Sequence, residues 1–142
     1  MPLGDRAILS YTLDFLKLSG VQECFVFCTS FAQDIKDYLK QWTSDQGTNS
    51  MSISPITNES CRSFGDAMRD LDAQGVLRQD FILVFGDCVG NVNLSEAFQE
   101  HKQRSKEDKN ATMTLVYRKA MPGHHLRTIK NEVFLAVNDE NR

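Results

Sequence analysis

The sequence predicts an α/β domain with a mostly parallel sheet. Helical and strand periodicities alternate along nearly the whole chain. One continuous apolar run, Phe81–Phe85 (FILVF), passes straight into Gly86 and Asp87. A run of that length closed by a turn signal is expected of a strand buried on both faces, as at the centre of a parallel sheet. Glycines and capping residues fall between the periodic segments, where helices would start and stop.

Each element has its own signal. Ile8, Leu9, Leu13 and Leu16 share a helical face, and Gly20 supplies the stop. Glu23–Cys28 (ECFVFC) reads as a short buried strand. Ser30 with Gln33 has capping-box spacing for a second helix, striped with Ile35, Tyr38, Leu39 and Trp42. Residues 43–50 are a polar loop, and Met51–Ile56 is a weak strand. Ser63 with Asp66 caps a third helix through Ala67, Met68 and Leu71, which Gly75 ends. Phe81–Phe85 follows as the central strand. Asn93 with Glu96 resembles a capping box opening a helix that carries Leu94, Ala97, Phe98 and His101 on one face. Ala111–Tyr117 reads as a strand from the alternation of Met113, Leu115 and Tyr117. Residues 121–127 read as a loop and Val133–Val137 as a final strand. In this order the chain begins on a helix and ends just after a strand. A doubly wound sheet places a strand before that helix, so both ends read as cut, and a piece of a larger protein is expected.

Composition narrows the function classes. The chain has 142 residues, enough for one domain. Its net charge of −3, and the mixed signs of its longest charged stretch, Lys102–Lys109, favour a solvated helix face over a nucleic-acid site. No apolar run reaches the ~20 residues that span a bilayer. The N-terminus lacks the apolar segment of a signal peptide. A cytosolic location without membrane contact is expected. The four cysteines form no CxxC pair, and free thiols are expected, with Cys24 and Cys28 as small buried side chains in the apolar context CFVFC.

Two constellations could carry chemistry. Asp87, at the end of an apolar strand, could hold Mg²⁺ beside a phosphate, with Gly86 allowing close approach. The reading that spacing alone favours is a turn aspartate bonding nearby backbone N–H groups. Arg62, Ser63, Gly65 and Asp66 form a glycine-bearing turn into a helix N-terminus, which could bind an anion. Asp66 there also fits simple compensation of the helix dipole and would repel a phosphate. The phosphate cradles GxxxxGK[ST] and GxGxxG do not occur, nor does a G-x-S-x-G elbow. His124 and His125 sit beside Pro122 and Gly123 in a loop. Asp70 and Asp72, two apart on a helix, point away from each other and form no acid/base pair.

The run from Cys61 to Arg118, with RSFGDAMRDLD, DFILVFGD and NLSEAFQEHK in sequence, resembles the N-terminal domain of the epsilon subunit of eukaryotic translation initiation factor 2B. LSYTLDFLKLSGVQECFVFC, SFAQDIKDYL and the closing VFLAVNDENR are similar too, so the likeness covers nearly the whole chain. The gamma subunit of that complex is similar to a lesser degree. The resemblance implies a Rossmann-like, nucleotidyltransferase-type α/β domain over residues 1–142, related to sugar-nucleotide pyrophosphorylases. In active pyrophosphorylases the aspartate matching Asp87 binds the metal. Their phosphate-binding, glycine-rich signature and catalytic lysine would precede Pro2–Leu9, so the domain is expected to be incomplete. The family's β-helix and its C-terminal helical domain, where guanine-nucleotide exchange resides, are expected to lie outside this chain. What the resemblance implies is therefore a scaffold and subunit-interaction region with no enzymatic role of its own and no bound cofactor. Gly86 and Asp87 would be a vestigial nucleotide or Mg²⁺ site, with Arg62 and Gly65 as weaker contributors. Its partners would be the other subunits of the exchange factor, gamma above all, and initiation factor 2. The alternative is a sugar-nucleotide transferase with Asp87 as its metal ligand.

Overall fold

The computed structural model describes residues 2–45, 47, 51–119, 121, 123 and 124. Two very short strands, β1 (Pro2–Leu3) and β2 (Arg6–Ala7), pair antiparallel and lead into helix α1 (Ile8–Leu18). Strand β3 (Glu23–Cys28), helix α2 (Ala32–Asp45), strand β4 (Ser52–Thr57), helix α3 (Phe64–Ala73) and helix α4 (Leu94–Glu107) follow. The domain is thus mixed α/β with a small parallel sheet. The chain does not open on a helix, as its apolar spacing suggested, because Arg6 pins the hairpin to α1. Its guanidinium pairs with Asp14 at 2.9 Å and lies 5.3 Å from the centre of the Tyr11 ring. Tyr11 Oη donates to the Leu3 carbonyl at 3.0 Å. Two-residue strands carry too little periodicity to be read from sequence.

β3 and β4 pair in parallel, with Glu23 opposite Ser52 and Cys28 opposite Thr57. The ladder ends in bonds from Ser52 N–H to the Gln22 carbonyl and from Asn58 N–H to the Cys28 carbonyl. Even-numbered residues of β4 therefore turn their donors toward β3. Pro55 has the opposite parity, so its missing N–H falls on the open edge, where a ladder loses nothing.

Parallel neighbours need a crossover, and α2 supplies it. Its Leu39 and Trp42 are buried with Leu13 and Leu16 of α1, Met51 and Leu94. Leu9, Val26, Ile35, Ile53 and Val84 pack against this cluster. Fully burying each large aliphatic side chain is worth about 1.5–3 kcal/mol. Buried Ser10 on α1 is satisfied locally: its Oγ donates to the Ala7 carbonyl at 2.7 Å. All four cysteines are free; Cys28 is buried, and burial pushes the Cys24 and Cys28 thiols upward in pKa.

Three sequence expectations fail, each for a physical reason. Phe81–Phe85 is not a central buried strand: it joins no ladder, and Leu83 and Phe85 are 52% and 65% exposed. Only Val84 reaches the core. A strand needs a ladder partner, and among the described residues none pairs with this segment. Ala111–Tyr117 likewise lies outside any ladder with Met113, Leu115 and Tyr117 exposed. It is tied instead to α4, by His101 Nδ1 against Thr114 Oγ1 at 2.9 Å and by Ser105 Oγ donating to the Ala111 carbonyl at 3.0 Å. The Ser30–Gln33 box does not form. Phe31 takes the position before α2 at φ 53°, its carbonyl accepting from Ile35 N–H, while Gln33 donates to Asp37. The expected strand Val133–Val137 lies outside the described residues.

Helix α4 keeps its expected face. Leu94 is buried, Ala97, Phe98 and His101 are half-buried, and Ser95 Oγ ties its start to the Ser19 carbonyl at 3.0 Å. Asn93 is its cap through Ser95 N–H, but bonds Glu96 through its side chain rather than its backbone. The mixed charges after it form an exposed face, with Glu100 paired to Arg104.

Two stability outcomes follow from this packing. Leu13→Ala, at a side chain 1% exposed in the cluster, should lower unfolding free energy by about 2–5 kcal/mol in urea titrations. Phe31→Asn should raise it by about 0.5–1 kcal/mol, because asparagine tolerates positive φ and is a good helix cap.

Candidate functional site

The two sequence-derived candidates meet in space. Phe64, at the start of α3, lies with its ring centre 6.0 Å from that of Phe85, the planes inclined at 55°. This contact brings the Arg62–Asp66 turn beside the Gly86–Asp87 turn.

Gly86 and Asp87 occupy the centre of a tight turn closed by Cys88 N–H on the Phe85 carbonyl at 3.0 Å. The turn is fastened to α1 from the far side. Thr12 Oγ1 lies 3.1 Å from the Gly86 carbonyl and 2.9 Å from the Cys88 carbonyl, and its one hydrogen is shared between them. A side chain added at Gly86 would stand 3.6 Å from Leu9 Cδ1, an ordinary contact. Asp87 is exposed. Its carboxylate accepts no hydrogen bond from the backbone among the described residues, so the turn is made by the main chain and not by the aspartate side chain.

At the start of α3 several donors are already used. Ser63 Oγ accepts from Asp66 N–H at 3.1 Å. The Asp66 carboxylate takes Ser63 N–H at 3.0 Å and Arg62 N–H at 3.2 Å, and pairs with Arg69. This is the capping box expected from the sequence. The Ser63 side chain first, then the Arg62 N–H and the Arg69 guanidinium, hold the Asp66 carboxyl below the usual carboxylate range. An anion at this helix start would have to displace Asp66. Arg62 is exposed, and Gly65 faces the Arg69 guanidinium rather than open space.

Clefts lie elsewhere. An open one of about 540 Å³ is lined by Met68, Asp72 and Leu77–Phe81. A second, about 320 Å³, lies between the hairpin and α2 and includes Arg6, Tyr38 and Trp42. Neither contains Asp87. Among the described residues no three His, Cys, Asp or Glu side chains converge as metal ligands, and no helix is long and apolar enough to cross a membrane. Sequence reading passed over Thr12. Its signal was a hydroxyl at helical spacing from Ile8 and Leu16, on the face that should be apolar.

Fold and site together define a mixed α/β domain whose exposed acidic turn is anchored to its first helix. The chain is 42% identical over 127 residues to translation initiation factor eIF2B subunit epsilon of Schizosaccharomyces pombe, covering 89% of this chain and 19% of that protein. It is 40% identical over 140 residues to the eIF2B subunit epsilon of Dictyostelium discoideum, covering 97% of this chain and 19% of that protein. No protein-family model matches. By sequence, the chain belongs with the eIF2B epsilon subunits, and it spans 19% of the length of these two relatives.

The capping box sets a pH response. Asp66 has a lower pKa folded than unfolded, so its contribution is complete above about 3.9 and is lost as pH falls through its lower folded value. Protection of the first-turn amides of α3, taken relative to their intrinsic exchange at each pH, should fall only in that acidic window. Ser63→Ala should lower stability by about 1 kcal/mol at neutral pH, measured by chemical denaturation.

Proposed function

We propose that this chain is a scaffold and subunit-interaction region of an eIF2B epsilon subunit, serving guanine-nucleotide exchange on initiation factor 2 without carrying the exchange-catalysing part. The observation that carries the reading is 40–42% identity to epsilon subunits spread over 89–97% of the chain. Likeness this even points to the same domain in the same setting. The mixed α/β fold with its small parallel sheet is compatible with a nucleotidyltransferase-type domain of Rossmann-like topology. Its partners in this reading are the other subunits of the exchange factor, gamma among them, and initiation factor 2, in the cytosol.

The site supports a role without chemistry. Nucleotidyl transfer depends on positioning and on neutralising charge at the phosphorus. Asp87 alone does neither, and the Arg62 and Ser63 N–H groups ahead of α3 are committed to the Asp66 carboxylate. The rival reading, a sugar-nucleotide transferase using Asp87 as metal ligand, draws on the exposure of that carboxylate in a glycine-bearing turn.

Asp87→Ala, introduced into a full-length epsilon subunit carrying this region and assembled with its partner subunits, should leave GDP release from initiation factor 2 within about twofold of the unsubstituted complex. A drop of tenfold or more with assembly unchanged would sink the scaffold reading. Saturable, Mg²⁺-dependent binding of a nucleoside triphosphate, abolished by the same substitution in calorimetry, would favour the transferase.

A further inference from the structure

The Gly86–Cys88 turn has an unusual support. The apolar run that leads into it belongs to no ladder, and four of its five side chains are exposed. Within the run only Val84 reaches the core. Two other elements fix where the turn stands. From α3, the Phe64 ring meets Phe85. From α1, Thr12 offers its hydroxyl to the carbonyls on both sides of Asp87, at 3.1 and 2.9 Å. Thr12 is 3% exposed. A hydroxyl buried that deeply on the apolar face of a helix is costly unless bonded. Here the bond runs to a segment more than seventy residues away, although the carbonyl one turn back in α1 is the usual partner of a helical threonine.

We propose that Thr12 is a positioning residue for Asp87: its buried hydroxyl clamps the backbone on either side of that residue and sets where the carboxylate is presented. The geometry is specific to a three-centre clamp. One carbonyl would fix a point, whereas two carbonyls flanking a single residue fix the turn's orientation against α1. The methyl of threonine holds the hydroxyl to few rotamers, so the donor is aimed before the turn docks. Asp87 itself contributes nothing to the turn's closure, which Phe85 and Cys88 make between their main chains. Its carboxylate therefore remains available, and its placement is governed from α1. The inference concerns geometry in this chain and does not depend on the exchange-factor reading.

The test compares Thr12→Val, which keeps the shape and removes the donor, with Thr12→Ser, which keeps the donor, both in the intact chain. Amide exchange at Cys88, whose N–H closes the turn, should quicken about tenfold in Thr12→Val, the scale of losing a buried hydrogen bond. It should stay within about twofold in Thr12→Ser. Alkylation of the buried Cys28 thiol should remain slow in both, reporting that the core is intact. Unchanged Cys88 exchange in Thr12→Val would overturn the proposal. So would acceleration spread evenly over α1, α2 and the Cys28 thiol, since Thr12 would then serve the core as a whole. If the valine variant does not fold, Thr12→Ala set against Thr12→Ser makes the same comparison without a branched side chain.

Discussion

The parallel pairing of β3 with β4 is the constraint on which the rest of the domain depends. Parallel neighbours cannot be joined by a tight turn, so a crossover must link β3 to β4. The crossover is useful only if it buries a face, and α2 does so with Leu39 and Trp42. Once those side chains lie over the sheet, α1 completes the enclosure with Leu13 and Leu16, and α4 closes one end with Leu94. The helices form because an amphipathic stripe has somewhere to go, and the stripe has somewhere to go because the two strands are paired.

Outside that cluster, support changes in kind. The segments after α3 and α4 are held at points rather than along ladders: Val84 in the core, Phe85 on Phe64, the Thr12 hydroxyl on two carbonyls, and His101 and Ser105 on residues 111–114. Between those points Leu83, Met113, Leu115 and Tyr117 remain half exposed or more. Single hydrogen bonds contribute about 1 kcal/mol each, against several for a buried leucine. Local opening should therefore begin in these segments and leave the β3–β4 unit intact.

What the sequence made legible is what local chemistry decides. The Ser63–Asp66 box needs only residues three apart, and it forms as read. The faces of α1, α2 and α4 follow from apolar spacing within each helix. β3 and β4 have their own apolar residues and find each other across a helix of ordinary length. The failures are cases where a distant partner decides. FILVF has the composition of a central strand, yet composition cannot supply the neighbour that would make it one. Phe31 displaces Ser30 as the start of α2 because the exit from β3 requires a residue at positive φ there. Thr12 looks like a misplaced polar residue in α1 until the turn at Gly86 is brought beside it. Of the candidate site, the capping box of its α3 half was legible. The meeting of its halves through Phe64 and Phe85 was not, since nothing in either segment names the other.

The same distinction bears on what the site can do. A helix N-terminus attracts anions because its first N–H groups lack partners. In α3 the chain supplies its own carboxylate to the capping N–H groups, and Arg69 is spent on balancing that carboxylate. The positive end of the helix is thereby neutralised from within. Across the Phe64–Phe85 contact the opposite holds: the Asp87 turn is closed and clamped entirely through main-chain carbonyls, so its carboxylate is left over. A phosphate would meet a filled helix end on one side and a like charge on the other. A helix start occupied by its own carboxylate, beside a second carboxylate with no backbone partner, is better suited to recognition than to phosphoryl chemistry. That balance of charge, more than the absence of any one residue, is why the scaffold reading is preferred over the transferase.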